Sequence, residues 1–376
     1  MKKQTSSETV CQALAVTNKG IEDVASQEIS ELLDVKAVPS TESVLFSASI
    51  EQIAEVTYKA QTLESVMLVL ASGTLEECLA AKLDVSTWLS GSKTFLIEVD
   101  KDDSLLSSQE LGAQFGEVLE KQTGCHVDYK NASVAFLLFI RNGKAWFGVD
   151  LAGMDLSKRS YRVFLGTNSL KGSLAAALVR LSGFSQGKIL LDPFCRHGII
   201  PIEAALITSG LSPHFFCKEK LSFKDLLPTE DLFKSWDKKS DTTKQSGAFA
   251  MHDNFSFVNA ARKNAQLAGV NKALEFSRQT LEWIDLKFEP KTVDCFVSFP
   301  PQVSQTHPVE KISKVWDRLF LQAKRIMKKD GKVVLIVRQA QDLMKETAKK
   351  YGFKTTHQRT IWQGGEELPV MVFERE

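Results

Sequence analysis

Asp192-Pro-Phe-Cys-Arg-His-Gly-Ile-Ile-Pro-Ile-Glu-Ala-Ala-Leu206 is the stretch that decides the fold. The apolar run at 189–191 ahead of it suits a strand buried on both faces of a parallel sheet. The chain then turns over 193–198 and continues as an apolar helix over 199–207. A strand, a tight turn and a helix in that order put a ligand pocket at the strand's carboxyl end. Outward from here the pattern keeps alternating. Strands are expected over 248–251, 293–298 and 333–337, with helices over 257–268, 309–328 and 339–350 between and after them. Two closing strands, 354–361 and 369–373, complete a doubly wound α/β domain.

Upstream, residues 12–70 read as a small α/β unit, with strands at 14–16 and 44–47, a turn at Gly20, and helices over 21–33 and 50–60. Residues 75–155 alternate again: a helix over 75–88, a strand over 94–99, a helix over 107–121, then strands over 134–140 and 144–149. Arg141-Asn-Gly143 joins the last two, and Asn-Gly between apolar runs is a hairpin signal. Between the helix after Asp192 and Gly247 lies a polar stretch of about three dozen residues; loops so long are functional or disordered, and partial order is expected here.

The 376 residues suffice for two or three domains, and 43% hydrophobic with 25% charged residues is ordinary for a soluble globular chain. No apolar run approaches the roughly 18 residues that span a bilayer, and Met1-Lys-Lys-Gln-Thr-Ser-Ser-Glu8 lacks the apolar core of a signal peptide. Six scattered cysteines without Cys-x-x-Cys spacing suit reduced thiols in a cytosol, so a cytoplasmic protein is expected. The six histidines form no metal-ligand grouping, which argues against a metal site. Residues 1–160 carry 14 Lys+Arg against 23 Asp+Glu, and 161–376 carry 33 against 23. The contrast marks a boundary and makes the C-terminal part the better candidate for phosphate contacts, or gives two surfaces that attract each other.

Several motifs together carry a resemblance. Asp192 to Leu206 is similar to motif I of S-adenosylmethionine (SAM) dependent RNA methyltransferases, Asp-Pro-x-Cys-Gly-Ser-Gly-Thr followed by Ile-Glu-Ala-Ala. Ala261-Arg-Lys-Asn-Ala265 matches their Ala-Arg-x-Asn-Ala, and Thr17-Asn-Lys-Gly-Ile-Glu-Asp-Val-Ala25 their amino-terminal opening. The segment 127–153 resembles the closing hairpin of a THUMP domain, an RNA-binding module; Arg159-Ser-Tyr-Arg162 and Leu174-Ala-Ala-Ala-Leu-Val179 resemble the linker and first helix that follow it. The chain thus looks like a THUMP-containing RNA methyltransferase of the tRNA guanine-N2 type. The resemblance implies a ferredoxin-like N-terminal domain over 1–72, a THUMP domain over 73–156, a linker and first helix over 157–186, and a Rossmann-like methyltransferase domain over 187–376. It also implies SAM as cofactor and RNA, in the first place tRNA, as partner, with a protein partner as a further option.

Carried over residue by residue, the resemblance assigns cofactor contacts to Asp192, Pro193, Phe194, Cys195 and Gly198 in motif I, to His252 and Asp253 at the ribose position, and to Thr280 at the adenine position. Lys158, Arg159 and Arg162 are the candidate RNA-phosphate contacts, with solvated linker charges as the alternative. The Asn-Pro-Pro-Tyr position, which holds and stacks the target base, is Ser298-Phe299-Pro300-Pro301-Gln302. This sequence departs from the family pattern in several places. Arg196 and His197 replace Gly-Ser and Ile199 replaces Thr. His252 and Asn254 stand where acids belong, with Asp253 one residue off, and Thr280 replaces an Asp. Phe299 lacks an acceptor for an amine, and Gln302 lacks a ring. The reading is a family member with lost or strongly reduced methyl transfer that acts through RNA or partner binding. The alternative is an active tRNA (guanine-N2) methyltransferase with a non-standard cofactor loop.

Overall fold

The structure, a computed structural model, describes residues 9–102, 106–166 and 169–376; the amino-terminal stretch 1–8 read above lies outside them. The chain divides into two compact units. The first comprises the residues up to Thr17, Ala25–Leu156 and Cys217–Trp236; the second comprises Asn18–Val24, Ser157–Phe216 and Asp237–Glu376.

The first unit is built on one eight-stranded sheet: β1 (Cys11–Thr17), β2 (Val38–Ser40), β3 (Ser43–Ala48), β4 (Leu63–Gly73), β5 (Thr94–Lys101), β6 (His126–Val127), β7 (Val134–Arg141) and β8 (Lys144–Asp150). Their order is β2-β3-β1-β4-β8-β7-β5-β6, so the segments read above as two alternating blocks share a single sheet. The hairpin signal holds: Asn142 and Gly143 both take positive φ, 53° and 74°, as a two-residue turn joining twisted strands requires. Local chemistry also starts the helices. Ser49 with Gln52 and Ser107 with Glu110 form reciprocal capping boxes at Ile50–Lys59 and Ser108–Thr123.

Two expectations change in this unit. The helix expected over 75–88 stops at Ala80, where Ala81 turns extended at φ −65° and ψ 135°. Val85, Trp88 and Leu89 remain buried regardless. The polar insertion supplies Cys217–Trp236 to this unit's core. There Phe223, Phe233 and Trp236 pack with Tyr58, and the Phe223 N–H donates to the Leu151 carbonyl.

The second unit contains β9 (Leu190–Asp192), β10 (Ala248–His252), β11 (Glu275–Arg278), β12 (Val293–Ser298), β13 (Met327–Ile336), β14 (Phe353–Gln363) and β15 (Glu366–Arg375), ordered β11-β10-β9-β12-β13-β15-β14. The first five run parallel, and β15 pairs antiparallel with both β13 and β14. Alternate residues of each strand face opposite layers. Leu190, Cys295, Val297, Val334 and Ile336 pack with the helices Gly172–Leu181 and Ile199–Ser209. Leu191, Phe296, Val333 and Leu335 pack with Trp316 and Phe320 of the helix Val309–Ile326. Strands buried on both faces explain the near-continuous apolar runs seen in the sequence. The order reverses between β9 and β12, where β9 turns outward to β10, and a crevice opens there at the carboxyl ends.

Candidate functional site

The carboxyl end of β9 sets the site. Asp192, 2% exposed, accepts a hydrogen bond from Ser298 Oγ at 2.5 Å and another from the Phe194 N–H at 3.1 Å. Ser298 is the last residue of β12, so this bond ties the two central loops together. Burial pushes the Asp192 carboxyl up to about 7, against the pull of Ser298, Phe194 and Arg196. The loop closes with Gly198 at φ 79°, and a Cβ there would lie 2.7 Å from the Ala261 Cβ. Only glycine fits this contact between the loop and the helix Phe255–Leu267.

Arg196 stands at φ 44°, a left-handed conformation that glycine adopts freely and a long side chain does not. Its guanidinium is carried inward, 5.3 Å from the centre of the Phe299 ring, and burial lowers its pKa. Arg338, just beyond β13, lies 5.1 Å from the same ring centre. A cavity of about 30 Å³ remains, lined by Asp192, Phe194, Cys195, Arg196, His197 and Phe299 among others. That volume holds a water or two, whereas a pocket for a nucleoside-sized ligand measures roughly 300 Å³ or more.

Phe299 is buried and Pro300 is covered with it. Gln302 is a backbone clamp. Its Nε2 donates to the carbonyls of Pro300 and Ile336 at 2.7 and 3.0 Å, and its Oε1 accepts from the Arg338 N–H at 2.8 Å. The Ser298–Gln302 loop is therefore pinned to the end of β13 by the side chain that stands at the family's aromatic position.

At the ribose position, His252 ends β10 and Asn254 caps the next helix, its Oδ1 accepting from the Ser256 N–H and Oγ. His252 Nδ1 is in contact with both the Asn254 N–H (3.0 Å) and Asp253 Oδ1 (2.7 Å). One nitrogen cannot accept from the first and donate to the second at once. Burial lowers the imidazole pKa, against the raising effect of Asp253. Asp253 itself points outward and is exposed, as is Thr280, which begins the short turn Leu281–Leu286.

The linker candidates separate. Lys158 is exposed. Arg162 is half-buried and reaches Ser169. Arg159 is 4% exposed; its Nε and Nη2 donate to Glu203 at 2.8 and 3.2 Å, and Tyr161 adds a third bond to the same carboxylate at 2.7 Å. The phosphate contact expected of Arg159 has no surface to form on, and Glu203, fully buried, is occupied by the linker. Asn264 makes a second tie. Its Oδ1 accepts from the Phe164 N–H, and its Nδ2 donates to the carbonyls of Phe164 and His197.

Structure thus brings Asp192, Phe194, Cys195, Ser298 and Phe299 to one cavity, with Pro193 buried in the same turn. It leaves Asp253 and Thr280 at the exposed rim. One functional-looking residue, Arg338, and one contact, that of Arg196 with Phe299, escape a sequence reading. Arg338 sits in no motif, and the reach of Arg196 to Phe299 spans 103 positions. The one available signal was an arginine at a glycine position. At this loop the Arg196 guanidinium lies against Phe299, the space beside it is about 30 Å³, and the acid nearest the ribose position faces solvent.

Comparison with known proteins bears on the whole chain. Residues 159–367 match the RMKL-like methyltransferase domain family, and residues 77–150 match the THUMP domain. A tRNA (guanine(6)-N2)-methyltransferase of Methanocaldococcus jannaschii is 24% identical over 366 residues, covering 92% of this chain and 95% of that one. The ribosomal RNA large subunit methyltransferase K/L of Vibrio parahaemolyticus is 25% identical over 292 residues, which cover 71% of this chain and 40% of that one. Among solved structures, a candidate methyltransferase complexed with SAH superposes with a TM-score of 0.79 at 20% identity, covering 100% of this chain and 99% of that one. TrmN from Thermus thermophilus superposes with a TM-score of 0.68 at 22% identity, covering 97% and 99%. Among the described residues no helix is long and apolar enough to cross a membrane, and no group of side chains has metal-binding geometry.

Proposed function

The chain belongs to the RMKL-like methyltransferase family, joined to a THUMP domain as in SAM-dependent RNA methyltransferases, and from that premise we propose that it binds tRNA with methyl transfer lost or strongly reduced. The observation that carries this reading is the Arg196 guanidinium lodged against Phe299, with only about 30 Å³ of cavity beside it. Three further features support it. Asp192 is bonded to Ser298, Gln302 is committed to the backbone, and the acid nearest the ribose position is exposed. In the proposed division of the chain, residues 1–72 and 73–156 form the RNA-recognition part, 157–186 the linker and first helix, and 187–376 the former catalytic domain. Lys158 and Arg162 remain the proposed phosphate contacts of the linker.

A second reading is an active tRNA (guanine-N2) methyltransferase with a non-standard loop. The near end-to-end match to the M. jannaschii enzyme favours it. Calorimetric titration with SAM and SAH, beside filter binding to total tRNA, separates the two. RNA binding with no heat from SAM at millimolar concentration supports the proposal. Micromolar SAM binding, or methyl incorporation into tRNA, overturns it in favour of the second reading.

A further inference from the structure

The cavity is lined by a guanidinium, that of Arg196, which lacks an anion. Among the described residues the Arg196 guanidinium has no hydrogen-bond or ion-pair partner; its contacts are the Phe299 ring and the field of Asp192. A guanidinium presents five donors in a planar fork, and leaving them unpaired in a mostly buried place is costly. Arg338 is only partly paired. One terminal nitrogen meets Glu366 at 2.8 Å, while its Nε is buried with no partner. The two cations share one aromatic ring and repel each other. Burial first, and the Arg196 charge after it, lowers the pKa values of His197 and His252, which flank Phe257 with ring centres 5.4 and 4.7 Å away. The helix Ile199–Ser209 begins at the same place with no side-chain cap and no acid in its first turn.

We infer that this cavity is an oxyanion receptor, in which the Arg196 guanidinium and the start of the helix Ile199–Ser209 take the oxygens of a phosphate group while Arg338, beside the same Phe299 ring, adds positive charge. The inference rests on the reading above that the loop no longer serves SAM. Arg196 supplies the fork that matches phosphate geometry, and Arg338 contributes through its charge. Asp192 is the one acid lining the cavity; in its protonated form it sits beside an anion without repulsion, and Ser298 already bonds it. A cavity of about 30 Å³ admits the leading oxygens of such a group but not a nucleoside, so the rest of the ligand stays outside. A free phosphate and an RNA phosphate share this chemistry.

The test is calorimetry on the full chain with inorganic phosphate, AMP and adenosine, on wild type, Arg196→Ala and Arg338→Ala, with a thermal melt of each variant. The expected result is binding of phosphate and AMP, none of adenosine, and at least a tenfold loss in Arg196→Ala with its melt intact. If Arg196→Ala does not fold, Arg338→Ala, which leaves the loop untouched, decides with a loss of threefold or more. Adenosine binding as well as AMP, phosphate affinity unchanged in the folded variants, or no phosphate binding at all overturns the inference. Competition of inorganic phosphate against tRNA then tells the two sources apart. Displacement assigns the RNA's own phosphate, and no displacement assigns a free one. SAM binding, measured separately, decides the proposed function without deciding this site.

Discussion

Replacing Asp192 by Asn isolates the electrostatics of the loop. The carboxyl is 2% exposed, and burial outweighs two hydrogen bonds and the nearby Arg196 to raise its pKa from 3.8 to about 7. Between those two values the folded protein holds a proton that the unfolded chain has released. Stability contributed by this group is therefore complete below the unfolded pKa, falls as pH rises through the window, and levels off above about 7. A shift of about three units corresponds to about 4 kcal/mol in full, of which roughly 2.5 kcal/mol is lost between pH 5 and pH 8. Asn keeps an oxygen for Ser298 and for the Phe194 N–H and carries no charge. Urea unfolding of wild type and Asp192→Asn at both pH values should show the variant gaining by roughly 2.5 kcal/mol over the wild type from pH 5 to pH 8. His197, His214 and His252 titrate with lowered pKa values and so add stability as pH rises, but Asp192 is not among the groups that shift them, and their share cancels in the comparison. A stability difference that stays constant with pH would refute the buried-acid account.

Three more outcomes follow from individual contacts. Asn264→Ala removes three hydrogen bonds to Phe164 and His197 and should destabilise by about 2–3 kcal/mol in thermal or urea unfolding. Glu203→Gln takes a buried counter-charge away from the Arg159 guanidinium; a loss of about 3–5 kcal/mol is expected, and exposed Lys158→Ala should lose less than about 0.5 kcal/mol in the same assay. Gln302→Ala should cost about 2–3 kcal/mol and accelerate hydrogen exchange at the Arg338 amide, which it now bonds; unchanged exchange would remove the clamp from the description.

The alternation of strand and helix after residue 187 was legible because parallel strands buried on both faces leave short apolar runs that alternate with longer helical stretches and turns. The Asn142-Gly143 turn was legible for an equally local reason, two positive φ angles in succession. What stayed hidden depends on contacts far apart in the chain. Arg159 looked like a surface charge because its partner Glu203 lies 44 residues away. β4 (Leu63–Gly73) went unread because its residues, including a central Met-Leu-Val-Leu, alternate imperfectly inside a mixed sheet. The insertion reads as polar, yet Phe223, Phe233 and Trp236 are enough to fold it onto Tyr58. At the site, the sequence showed which family positions had changed but not that Arg196 and Arg338 would meet on Phe299.

The Gln302 clamp bears on ancestry as well as on stability. A side chain that once could be exchanged for a ring now holds three backbone groups of the Pro300–Arg338 neighbourhood in place. Putting an aromatic back at that position would free those groups before the other changed positions could make any use of the ring. The step from Gln302 to a ring thus begins with a less stable protein. The clamp thus makes the exchange of Gln302 for a ring an uphill change, whatever the loop binds.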